Sequence, residues 1–82
     1  MSEAKVREAV CALVVRRLRE ERERQGISMT VLAAKAGLAQ ATISFVERGL
    51  RNPTLDTLLR IADVLKVELG RIITGASREA RR

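Results

Sequence analysis

Apolar positions recur along this chain at helical spacing, in runs separated by glycines, capping residues and one proline. Val6, Val10, Leu13, Val14 and Leu18 stand at i, i+4, i+7, i+8 and i+12, a stripe about a third of the circumference wide that predicts a first helix from about Ala4 to Arg24. Cys11 and Val15 lie off that stripe. Ser28 is placed to cap a short second helix by accepting a bond from a backbone N–H one turn inside. In it Leu32, Ala33 and Ala36 share a face, and Gly37 closes it where a left-handed residue is needed. A third helix begins near Gln40, turns Ile43 and Val46 inward and stops at Gly49. The loop Leu50-Arg51-Asn52-Pro53 has no periodicity. Thr54 then caps a fourth helix, with Asp56 in its first turn facing the positive end of the helix dipole. Its expected buried face is Leu55, Leu58, Leu59, Ala62 and Leu65. A short fifth helix spans roughly Leu69 to Thr74, behind Glu68 where a Ser or Asp cap is common, and Gly75 ends it. Residues 76–82 carry no apolar anchor and are expected to fray.

Two short helices joined by a tight glycine-containing turn describe a helix-turn-helix. Ala33 sits where the second and third helices approach most closely, and a larger side chain there would push them apart. Leu38, just past the glycine, can plug the angle between them. A generic α-hairpin needs the same glycine and apolar stripe. What separates the two readings is that the small residue, the glycine and both inward positions coincide at the required spacing.

Composition narrows the chemistry. Eighty-two residues allow one small domain with one core, and a single aromatic, Phe45, makes that core aliphatic. One cysteine excludes an intramolecular disulfide and suits a reducing compartment. Without histidine, neither a zinc site nor a His-based catalytic centre can be built, so an enzyme is not expected. The apolar run Ala9 to Val15 is too short to span a bilayer, and Arg16-Arg17 follow it rather than a small-residue cleavage site. The net charge of +6 favours a polyanionic partner, although it is spread along the chain and a solvated surface would read much the same. Glu20, Glu21 and Glu23 interleave with Arg16, Arg17, Arg19, Arg22 and Arg24, giving i,i+4 pairs worth tenths of a kcal/mol each.

Taken together, Leu18-Arg19 and Arg22 ahead of Gly26-Ile27-Ser28, then Leu32-Ala33, Gly37, Thr42-Ile43-Ser44, Glu47-Arg48-Gly49, Asn52-Pro53-Thr54-Leu55 and Leu58 to Leu65 form a wider pattern. Over roughly residues 14–75 it resembles the Cro/repressor-type (lambda-repressor-like, XRE) helix-turn-helix family. The resemblance implies an all-α, five-helix DNA-binding domain with a helix-turn-helix and a long first helix. That domain would occupy residues 1–75, with 1–13 as an N-terminal helical extension and 76–82 as a disordered basic tail. The extension either wraps the core or contacts a second subunit.

The helical phase turns Gln40, Ala41, Thr42, Ser44 and Phe45 outward, and the family's base-contacting positions fall on Gln40, Ala41, Ser44 and Phe45. Gln40 can bond an adenine edge bidentately, Ser44 either kind of edge, and Ala41 can touch a thymine methyl. Phe45 is either an exposed aromatic meeting a thymine methyl or sugar, or a core residue against the helical phase. Ser28, Met29, Arg48, Arg51 and Asn52 are expected at phosphates, which position the protein without reading sequence. By resemblance Arg22 pairs with Glu47, the alternative being a free surface arginine. Ala39 departs from the family, which usually places a Ser or Thr cap there. The resemblance also points to Leu69, Arg71, Ile72 and Ile73 as a homodimer interface. The alternatives are the first helix around Val6, Val10, Cys11 and Val15, or a purely monomeric role in the core.

These expectations amount to a cytoplasmic, nucleoid-associated transcriptional regulator, a repressor or autoregulator. It would bind a pseudo-palindromic operator in double-stranded DNA as a homodimer, with no cofactor, metal, membrane or small-molecule ligand. A different class of function, a protein-interaction module of the same fold without DNA binding, draws on the apolar character of Ala41 and Phe45. A membrane-surface helix over residues 4–24 is disfavoured by its mixture of acids with bases.

Overall fold

The computed structural model describes residues 2–82 as five helices: α1 (Glu3–Arg24), α2 (Met29–Ala36), α3 (Gln40–Glu47), α4 (Leu55–Leu65) and α5 (Leu69–Ala80). Ser2, Ser28 and Thr54 cap α1, α2 and α4 by accepting from the amides of Lys5, Val31 and Thr57, so three helix starts are set by their own sequence. No side-chain cap holds the start of α3 at Ala39 or of α5 at Glu68, and those two helices depend on what they pack against.

The core is aliphatic. Leu32, Ile43 and Leu65 are its largest fully buried side chains, and Val14, Leu18, Ala33, Ile61, Ala62, Leu69 and Ala76 complete the cluster. It brings all five helices together: α1 lies along α5, and α2 packs on both α3 and α4. Leu32, Ala33 and Ala36 are the buried face of α2, and Ile43 and Val46 that of α3. Gly37, at φ +70°, reverses the chain between them. The Leu38 amide donates back to the Ala33 carbonyl at 2.9 Å, closing α2 in the fold-back that a left-handed residue permits.

Three sequence expectations change. In α4 the buried residues are Ile61, Ala62 and Leu65, while Leu55 and Leu59 stay 62% and 44% exposed. The apolar arc of this helix runs from Ile61 through Leu65, Leu58 and Ala62 to Leu55 and Leu59, and the core receives its Ile61 side, which leaves the Leu55–Leu59 side at the surface. Second, α5 does not stop at Gly75 and residues 76–80 do not fray. The helix continues to Ala80 because Ala76 is fully buried in the core and Glu79 accepts a hydrogen bond from Arg17 of α1 at 2.6 Å. The missing side chain at Gly75 makes room for that guanidinium, since a Cβ there would collide with Arg17 Nη1. The folded unit therefore extends five residues past the expected boundary. Third, Leu69 belongs to the core at 6% exposure, with Ile72 packed against it. Of the apolar residues expected to form an interface in α5, Ile73 is the exposed one.

The expected N-terminal extension is the first half of α1, continuous with the rest. Val6 and Val14 are buried, and Val10 and Leu13 pack partly on the core, so this face serves the monomer. Cys11 is exposed and Val15 half-buried.

Candidate nucleic-acid interface

Seating α3 falls to its inner face and its last residue. Ile43 and Val46 are 0% and 4% exposed, which fixes the rotation of the helix about its axis. Its far end is held by Glu47, whose two oxygens accept from Arg22 Nε at 2.7 Å and Nη2 at 2.9 Å. Arg22 Nη1 donates to the Ile27 carbonyl at 2.8 Å, in the short connection ahead of α2. One guanidinium thus ties together the end of α1, the entry to α2 and the end of α3. Both side chains are about nine-tenths buried, and the hydrogen bonds to Glu47 raise the Arg22 pKa above its ordinary value against the cost of burial. Arg19 Nε stands 3.9 Å from the same carboxylate.

With that rotation fixed, Gln40 and Ala41 are exposed and Thr42, Ser44 and Phe45 half-buried on the outer side of α3. The chain leaves the helix through Gly49, at φ +70°, and folds back. Gly49 donates to the Val46 carbonyl at 3.1 Å and Leu50 to the Phe45 carbonyl at 2.9 Å. Arg48, Arg51 and Asn52 are all exposed beside it, and the Arg51 guanidinium lies over the Phe45 ring at 4.7 Å from the centroid. On α2, the Ser28 hydroxyl is engaged with the Val31 amide at 3.1 Å. Met29 points its side chain at the core, which leaves its backbone amide, and not its side chain, for any anion.

Several supports had no sequence signal of their own. Gln25 Nε2 donates to the Leu65 carbonyl at 2.7 Å and to Glu21 at 3.0 Å, joining the end of α1 to the end of α4. Arg60 Nη1 reaches the Ala36 carbonyl at 3.3 Å while its Nε pairs with Asp56, covering the C-terminus of α2; only the i,i+4 spacing of Asp56 and Arg60 hinted at it.

Two eight-residue helices bent by 116° across a three-residue turn, the second with Gln40 and Ala41 exposed at its start, define a helix-turn-helix protein. No helix among the described residues is long and apolar enough to cross a membrane. The helix-turn-helix family model matches residues 18–72, and the chain belongs to that Cro/repressor-type family. An HTH-type transcriptional regulator of Mycobacterium tuberculosis is 44% identical over 50 residues, 61% of this chain and 36% of the relative. The HTH-type transcriptional regulator SinR of Bacillus subtilis is 34% identical over 58 residues, 70% of this chain and 52% of SinR. The chain thus spans about a third to a half of these two relatives. The crystal structure of SinR, described as the master regulator for biofilm formation, in complex with DNA superposes with a TM-score of 0.67 at 33% identity. It covers 72% of this chain and 95% of the SinR chain.

Proposed function

We propose that this protein is a sequence-specific regulator of transcription that lays α3 in the major groove of double-stranded DNA. The observation that carries the reading is the division of α3 into a locked inner face and an outer side on which Gln40 and Ala41 are exposed and Ser44 partly so, in a fold shared with a relative captured on DNA. Gln40 is the side chain best equipped to discriminate, through a bidentate bond to an adenine edge, with Ala41, Thr42 and Ser44 beside it. Arg48, Arg51 and Asn52 grip phosphates from the loop after α3, and the Met29 amide and Ser28 do so from the start of α2.

One domain of this size presents one reading helix and covers too few base pairs to single out a genomic site. Two copies related by a two-fold axis answer this with half-sites about 10 bp apart. Exposed apolar side chains are available for such a homodimer at Ile73 of α5 and at Leu55 and Leu59 of α4. Leu69 is unavailable, being spent on the core.

Selection of bound sites from random duplex DNA tests the reading. Enrichment of an inverted repeat is the expected result, and no enrichment at all would favour the protein-interaction module. Sedimentation at micromolar concentration tests the assembly. The wild type is expected to be dimeric and Ile73→Glu monomeric but folded; a wild type that stays monomeric on its DNA site contradicts the dimer.

A further inference from the structure

Phe45 and Arg51 belong to different elements, yet they touch. The fold-back at Gly49 returns the chain over the last turn of α3, so that the guanidinium carbon of Arg51 comes to rest 4.7 Å from the centre of the Phe45 ring. Phe45 is half-buried but takes no part in the core cluster. Arg51 is exposed, and among the described residues no carboxylate pairs with it. Among the described residues the ring face is therefore the specific anchor of this arginine, and the arginine covers one face of the ring.

We infer that Phe45 is a positioning residue for Arg51 and not a reader of bases. Resting on the DNA-binding reading above, the inference assigns the ring the task of holding the guanidinium beside the outer face of α3, where a phosphate passes. The geometry suits it. Stacking uses the face of the guanidinium and leaves its N–H edges free to donate to phosphate oxygens. A long, flexible side chain already confined on a ring also gives up less freedom when it meets its anion.

The test compares wild type, Phe45→Leu, Phe45→Tyr, Arg51→Met and the double variant Phe45→Leu/Arg51→Met. All are measured on the duplex recovered by the selection, across a salt series and a panel of single base-pair changes. Phe45→Leu is expected to flatten the slope of log affinity against log salt by about one unit, as Arg51→Met does. Base preference should stay unchanged, the double variant should lose nothing further, and Phe45→Tyr should bind as wild type. Without DNA, the same pair should show a coupling of about two- to fivefold in the unfolding equilibrium constant. A Phe45→Leu protein that keeps the full salt slope and shifts preference at one base pair overturns the inference and makes Phe45 a base reader. Independent, additive losses overturn it as well. A wild type that binds no duplex overturns the DNA-binding reading and this one with it, so the two failures are distinct.

Discussion

Two arginines of α1 each hold a distant helix through a carboxylate, in contrasting surroundings. Arg22 reaches Glu47 of α3 with two hydrogen bonds, and the side chains are 11% and 9% exposed. Arg17 reaches Glu79 of α5 with one bond of 2.6 Å, and the side chains are 33% and 40% exposed, with Arg16 3.8 Å away on the other oxygen. The chemistry is the same, but burial decides what each pair is worth. Where water is shut out, removing one partner strands a charge with nothing to solvate it. Where water enters, it takes the lost partner's place. The helix that carries the candidate interface is held by the first kind of contact, and the helix that ends the chain by the second.

The largest effect should come from breaking the buried pair on one side. Arg22→Ala and Glu47→Ala are each expected to cost about 3–5 kcal/mol, measured by urea unfolding. The double variant should lose much less than the sum of the two, and simple additivity would mean the pair is not coupled. Gly75→Ala separates the second pair from its setting. In wild type the new Cβ displaces Arg17, so a helix-propensity gain of about 1 kcal/mol is set against loss of the ion pair. Placed on an Arg17→Ala background, the same change should deliver that full gain. Arg17→Ala alone should cost under about 1 kcal/mol, while speeding amide exchange over 76–80 and leaving α3 protected. Equal exchange in both helices would erase the contrast.

The smallest effect belongs to a third, outermost pair. Hydrogen bonds from Arg24 first, and from Gln25, hold the Glu21 carboxyl down at about 2, against an ordinary 4.5. The folded value is the lower one, so this contribution is complete above about pH 4.5 and is lost as pH falls toward 2. A carboxyl-carbon NMR titration of Glu21 should give that low midpoint, and an ordinary midpoint would show the contact to be broken in solution.

The contrast also marks what the chain discloses in one dimension. The rotation of α3 is legible because Ile43 and Val46 are its inward pair at helical spacing and Gly37 and Gly49 bound the unit. The Arg22–Glu47 partnership came from family resemblance, since nothing local links residues 25 positions apart. The continuation of α5 was illegible for a related reason. Gly75 reads as a stop, and what overrides it is the burial of Ala76 in the core together with the bond to Glu79 from Arg17, 62 positions upstream. The inward face of α4 is only partly legible, because its apolar arc is wider than the core that receives it and leaves Leu55 and Leu59 outside. Their exposure is a property of the surrounding surface that the local spacing does not carry. The stacking of Arg51 on Phe45 follows from the fold-back at Gly49, which local spacing does not carry.

The most direct measurement concerns Gln40, the residue on which the proposed sequence reading by α3 chiefly rests. Wild type and Gln40→Ala are titrated against the selected duplex, its single base-pair variants and a scrambled duplex at one salt concentration. The expected result is a loss of about 1–3 kcal/mol on the selected site. That loss should disappear when the one base pair facing Gln40 in each half-site is changed, with affinity for scrambled DNA unaltered. Equal weakening on every duplex, or no loss on the selected one, would contradict a reading role for the outer face of α3.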